Sequence, residues 1–73
     1  MYMSDLQTKD VVNINNGNNY GKIVDAKIDD NGYVIEFISS ERKLLKKIKD
    51  FNEVKFSYKS IKKIGSDVIL IDN

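Results

Sequence analysis

The 73-residue chain contains no cysteine, no histidine, no proline and no tryptophan. Without cysteine no disulfide can staple the fold, and with neither cysteine nor histidine a zinc, haem or iron-sulfur site lacks its usual ligands. No cofactor and no metal are therefore expected. The same two absences remove the thiol nucleophile and the usual general base, so catalysis would rest on carboxylates alone, and no enzymatic role is expected. Also missing is any apolar run near the roughly 18 residues that span a bilayer. Met1-Tyr2-Met3-Ser4-Asp5 has neither the positive flank nor the apolar stretch of a signal peptide. A cytoplasmic location without membrane insertion is expected, and the lack of cysteine agrees with a reducing compartment.

The length suits one domain, residues 1–73, with a thin core. Chains of this size bury only about 60% of the surface that they expose when unfolded, and many draw on a disulfide, a metal or a partner subunit. Only the last remains here. A homo-oligomer and a monomer with an unusually regular core are both open. The formal net charge is +1, but its distribution is uneven: Arg42, Lys43, Lys46, Lys47, Lys49, Lys55, Lys59, Lys62 and Lys63 face only Glu41, Asp50 and Glu53 in their stretch. Such asymmetry hints at a polyanion-binding face. A lysine-rich loop that solvates one end of a small domain is the more ordinary explanation.

Short β segments dominate the pattern. Val11, Val12 and Ile14 sit among polar residues as in a strand, preceded by a turn at Ser4–Thr8 that pins Leu6 on the core. Asn15-Asn16-Gly17-Asn18-Asn19 reads as a reversal, because Asn and Gly tolerate positive φ. From Tyr20 to Asp29, Val24, Ala26 and Ile28 share one face and Asp25, Lys27 and Asp29 the other; Ile23, beside Gly21, breaks the parity and suggests a bulge. Asn31-Gly32 predicts a two-residue type I′ turn with positive φ at both positions. That register sets Ile28 against Ile35, Lys27 against Glu36, Ala26 against Phe37 and Asp29 against Val34, with Val24, Ile28, Ile35 and Phe37 pointing inward.

Between Glu41 and Phe51, Leu44, Leu45, Ile48 and Phe51 fall on one side of a short helix. A helical plug, a lysine-flanked hairpin extension and a membrane-surface segment are the open readings. Phe51-Asn52-Glu53 turns the chain into a strand with Val54, Phe56 and Tyr58 alternating with lysines, and Ile61 to Ile64 forms a 3₁₀-like turn or a short strand. Gly65-Ser66-Asp67 is a further turn. Val68-Ile69-Leu70-Ile71 is a strand covered on both faces or paired with another subunit. Five or six antiparallel strands with at most one short helical turn point to a small all-β barrel, because closure removes exposed edges.

Little in this inventory carries chemistry. Asp25, Asp29 and Asp30 cluster near the hairpin as solvated aspartates, and Asp29, Asp30 and Asn31 lack the later bidentate Glu of a calcium loop. Gly17, Gly21, Gly32 and Gly65, with Asn31, are structural turn residues rather than a phosphate-binding pattern. Phe37, Phe51 and Phe56 belong to the core by default. Tyr20 and Tyr33, beside turns, are candidates for stacking on a ligand, although no RNA-recognition signature accompanies them.

Three blocks resemble the PRC-barrel family, and within it its short sporulation-type members. Ser4-Asp5-Leu6-Gln7-Thr8-Lys9-Asp10-Val11-Val12-Asn13 is similar to an opening S-x-L-x-x-K-x-V-V-N. Gly17 with Tyr20-Gly21-Lys22-Ile23-Val24-Asp25 resembles D-G-x-x-L-G-x-I-x-D, and Ile61 to Ile71 resembles I-x-K-I-G-x-D-V-I-L-V. In two places the chain departs from the family: residues 41–51 are lysine-rich where a Gly-rich middle is usual, and Ser57 and Tyr58 replace a Pro-Trp pair. The resemblance implies a PRC-type barrel that binds or scaffolds, as copies do when they join an RNA-processing protein to a ribosomal protein or sit in a photosynthetic reaction centre. It supplies no catalytic residues.

Two function classes follow. The first is a self-associating adaptor that docks an unknown protein in sporulation, with Leu44, Leu45 and Ile48 as a candidate apolar contact. The second is an RNA- or ribosome-associated module that touches phosphates through Arg42, Lys43, Lys46, Lys47 and Lys49.

Overall fold

The computed structural model describes residues 1–41 and 53–73. Helix α1 (Met3–Gln7) leads into β1 (Asp10–Asn13), β2 (Asn19–Ile28), β3 (Val34–Ser40) and β4 (Glu53–Phe56). A 3₁₀ turn, η1 (Tyr58–Ser60), then precedes β5 (Ile61–Ile64) and β6 (Val68–Ile71). The six strands form one sheet in the order β4-β3-β2-β1-β6-β5. Residues 42–52, and with them the expected plug or hairpin extension and the turn at Phe51-Asn52, lie outside the described residues.

β1 and β6 lie side by side in the interior of the sheet. β1 and β6 both alternate half-buried and buried positions, so Val11 beside Ile69 and Asn13 beside Ile71 line the same inner face. Their pairing is parallel. This corrects the all-antiparallel expectation: alternation shows which face is buried but not the direction in which a strand runs. Ile23, Phe37 and Phe56 complete the buried set, with Leu6, Tyr20, Ala26 and Ile61 packed around it. Phe37 and Phe56 are cross-strand partners whose ring centroids stand 5.5 Å apart in a tilted pair, a geometry that aromatic quadrupoles favour.

The expected closure is also corrected. β4 and β5 are the two edges and no ladder joins them among the described residues. The sheet is nevertheless strongly curled. The link from Phe56 to Ile61 reaches at most about 17 Å when fully extended, whereas the outer strands of a flat six-stranded sheet lie about 24 Å apart. Among the described residues there are two short helical elements, α1 and η1, where at most one was expected. η1 takes Tyr58 out of the predicted strand and leaves it 67% exposed.

At the β2–β3 turn only Gly32 has positive φ, +88°, so the predicted type I′ geometry is not adopted. Instead the Gly32 N–H donates to the Asp29 carbonyl, while the Asp29 carboxylate accepts the N–H groups of Asn31 and Tyr33 at 2.9 Å each. This aspartate-capped turn shifts the register by one residue. Lys27 still faces Glu36 and Ala26 faces Phe37, but Ile28 faces Val34 rather than Ile35. Ile28 and Ile35, expected inside, are 60% and 44% exposed, because the hairpin runs on past the end of the core. The other turns fall where the glycines predict them, with Gly17 at φ +73° and the Gly65 N–H bonded to the Val68 carbonyl.

Candidate functional site

A shallow groove opens on the rim of the sheet, lined by Gln7 of α1, Asp10 of β1, residues of β2 from Asn19 to Val24, and Ser40 and Glu41 at the end of β3. Its floor is set by Gly21. There β2 carries an extra residue against β1, with Asp10 opposite Lys22 but Val12 opposite Asn19, and Gly21 adopts φ +80°. A Cβ at this position would drive into the Ser40 carbonyl and lie 2.8 Å from the Glu41 nitrogen. Only glycine lets the β2 and β3 backbones approach so closely. The bulge predicted from Ile23 and Gly21 is therefore present, and it builds the floor of the groove.

The polar groups here are largely committed to one another. Lys22 Nζ donates to Asp10 Oδ1 at 2.8 Å and bridges to the Thr8 carbonyl at 3.4 Å. The Lys22 hydrogen bond, helped by the Lys22 charge and the Asn19 side chain, holds the Asp10 carboxyl below its ordinary range. Asp10 is thus ionised at neutral pH and a weak proton acceptor. Ser40 is 5% exposed, and its hydroxyl has no partner among the described residues. Neighbouring Ser39 reaches the Val54 carbonyl at 3.4 Å. A second hollow, shared through Asn19 and Glu41, continues past Tyr20 and Val54. This arrangement offers hydrogen bonds to a polar ligand; no base stands within hydrogen-bond reach of the Ser40 hydroxyl among the described residues.

Four buried polar side chains escaped sequence reasoning as such. Lys9, 9% exposed, donates from Nζ to the Ser66 carbonyl at 2.7 Å and ties β1 to the β5–β6 turn. Asn13, 3% exposed, donates to Tyr20 Oη and the Asn73 carbonyl and accepts the Asn15 N–H. Ser39 and Ser40 are the other two. Parity alone marks Asn13, two residues beyond buried Val11, as a polar group on an inward face. The phenol of Tyr20 is engaged by Asn13, while Tyr33 is 69% exposed at the hairpin tip.

The other exposed feature is the distal β2–β3 hairpin. Ile28, Tyr33, Val34 and Ile35 all lie at its end, from 37% to 69% exposed, with Ile28 opposite Val34 and Ile35 on the other face of the ribbon. β1 pairs with β2 only as far as Lys22, and β4 pairs with β3 only as far as Phe37. Beyond those points the two strands form a ribbon whose outer edges have no ladder partner among the described residues. Asp25 and Asp30 are exposed as expected, and no cluster of acidic side chains suited to a metal occurs among the described residues. Arg42, Lys43, Leu44, Leu45, Lys46, Lys47, Ile48 and Lys49 lie outside them.

The chain is thus a curled, mostly-β sheet with β1 and β6 paired in its interior, a glycine bulge and a polar rim groove. It is a member of the PRC-barrel domain family, whose profile matches residues 1–73. It is also 33% identical over 81 aligned positions, covering 94% of this chain and 88% of the other, to the probable sporulation protein YlmC of Bacillus subtilis (strain 168). No helix among the described residues is long and apolar enough to cross a membrane.

Proposed function

We propose that the chain is a non-catalytic, self-associating scaffold that binds a protein partner in the cytoplasm during sporulation. The observation that carries this reading is the hairpin end, where Ile28, Tyr33, Val34 and Ile35 are all exposed on a ribbon that has no outer strand among the described residues. A two-stranded ribbon is marginal alone in water, and grouped exposed apolar side chains mark interaction surfaces. The sporulation context is supported by the likeness to the Bacillus relative. Affinity purification from sporulating cells, with the wild-type chain and with a Tyr33→Ser, Ile35→Ser variant as baits, tests the reading. A partner retained by the wild type and lost by the variant supports it; identical recoveries, or none, overturn it.

A second reading is favoured by one observation. Lys55, Lys59, Lys62 and Lys63, and Tyr58 among them in sequence, are all exposed along β4, η1 and β5, a composition suited to phosphates with a stacking ring. Binding of labelled RNA should then weaken steeply between about 50 and about 200 mM salt. Absent or salt-independent binding removes it.

A further inference from the structure

The hairpin end and the lysine-bearing rim are neighbours and opposites. η1 packs beside β3, whose residues 34–36 have no partner in β4. On one side, residues 25–36 carry the carboxylates of Asp25, Asp29, Asp30 and Glu36 against the single ammonium of Lys27, together with the exposed apolar side chains Ile28, Tyr33, Val34 and Ile35. On the other, the rim from β4 through η1 to β5 carries Lys55, Lys59, Lys62 and Lys63, has no carboxylate between Val54 and Ile64, and presents Tyr58 at 67% exposure. Both rim strands are sheet edges.

From this juxtaposition we infer that the hairpin end of one copy docks on the β4–η1–β5 rim of a second copy, reciprocally, in a two-fold dimer. A surface with an acidic apolar half and an adjoining basic half is self-complementary under a two-fold rotation, because each half then meets its opposite on the partner. Hairpin against hairpin would instead bring like charges together. Lysines along an edge strand repel basic strands, disfavour apolar ones through the cost of desolvating the ammonium, and admit an acidic one, so the rim selects its partner as well as protecting itself. The exposed apolar residues of the hairpin and the Tyr58 ring supply the area to be removed from water.

This inference rests on the self-association in the proposed function and specifies its surface. Sedimentation velocity of the full chain should show a dimer that dissociates as salt rises from about 50 to about 500 mM, with the dissociation constant increasing at least roughly tenfold. Asp30→Lys with Glu36→Lys makes both halves basic; Lys59→Glu with Lys62→Glu cancels the net positive charge of the rim and leaves the hairpin end acidic. Each double variant alone should be monomeric while keeping a wild-type circular dichroism spectrum, and mixing the two should restore a dimer of one copy of each. A wild-type chain that stays monomeric at every concentration overturns the inference together with self-association. A wild-type dimer indifferent to both charge reversals, or variants that fail to pair when mixed, overturns this surface and leaves self-association standing.

Discussion

Gly21 carries the tightest backbone constraint among the described glycines, since it combines positive φ with contact against the Ser40 and Glu41 main chain. Gly17 shares the first property and faces open space. Gly21→Ala should therefore cost roughly 3 kcal/mol or more, and Gly17→Ala only about 1 kcal/mol. Urea unfolding of the two variants checks the contrast, and equal losses would mean that the close approach in the groove floor is unimportant. The Asp10–Lys22 pair gives a weaker, pH-dependent effect. Because the folded-state pKa of Asp10 lies below its unfolded value, the pair stabilises the fold above about pH 3.9 and its contribution is lost as the pH falls through the lower, folded value. With the two side chains 41% and 54% exposed, that contribution is at most about 1 kcal/mol at neutral pH. Melting temperatures of wild type and Asp10→Asn should differ slightly at pH 7 and converge near about pH 2; a gap that widens in acid would contradict the sign.

Stability should divide unevenly among the strands. β6 is paired on both sides and buries Ile69 and Ile71, whereas the end of the β2–β3 hairpin has exposed side chains and edges with no ladder partner among the described residues. Ile69→Ala should cost about 3 to 4 kcal/mol, and Ile28→Ala should stay within about 0.5 kcal/mol in the monomer. Amide hydrogen exchange should be slowest at Val11, Ile69 and Ile71 and much faster from Ile28 to Ile35; uniform protection would argue that the ribbon is integral to the core. The same contrast explains what could be read in advance. The strands around Val11, Ala26, Phe37, Val54 and Val68, and the bulge at Gly21, were legible because alternation and glycine report local backbone geometry. The exposure of Ile28 and Ile35 was not, since alternation names a face without saying where along the strand the core ends. Asn31-Gly32 marked the reversal correctly, but the Asp29 carboxylate, by taking two N–H groups, selected a different turn and shifted one pair. The rim groove was illegible because its walls come from α1, β1, β2 and β3, and only the topology brings them together.

For the molecule as a whole, the parallel contact of β1 and β6 matters most. It joins Val11 to Ile69 and Asn13 to Ile71 across nearly the whole described sequence, and Lys9, held to the Ser66 carbonyl, clamps the same seam. Lys9→Ala should therefore loosen the seam by about 2 kcal/mol, through one lost charge-assisted hydrogen bond, read as a lower urea midpoint; an unchanged midpoint would make the clamp incidental. Such distant pairing also shapes the birth of the protein. While a ribosome is still extruding the chain, β1 through β4 emerge with one flank of β1 bare, and the isoleucines that seal it are added only with the final strand. Assembly of the interior must then wait until synthesis has passed β6, and in that interval the nascent polypeptide presents a greasy, unfinished sheet of the kind that holding chaperones recognise.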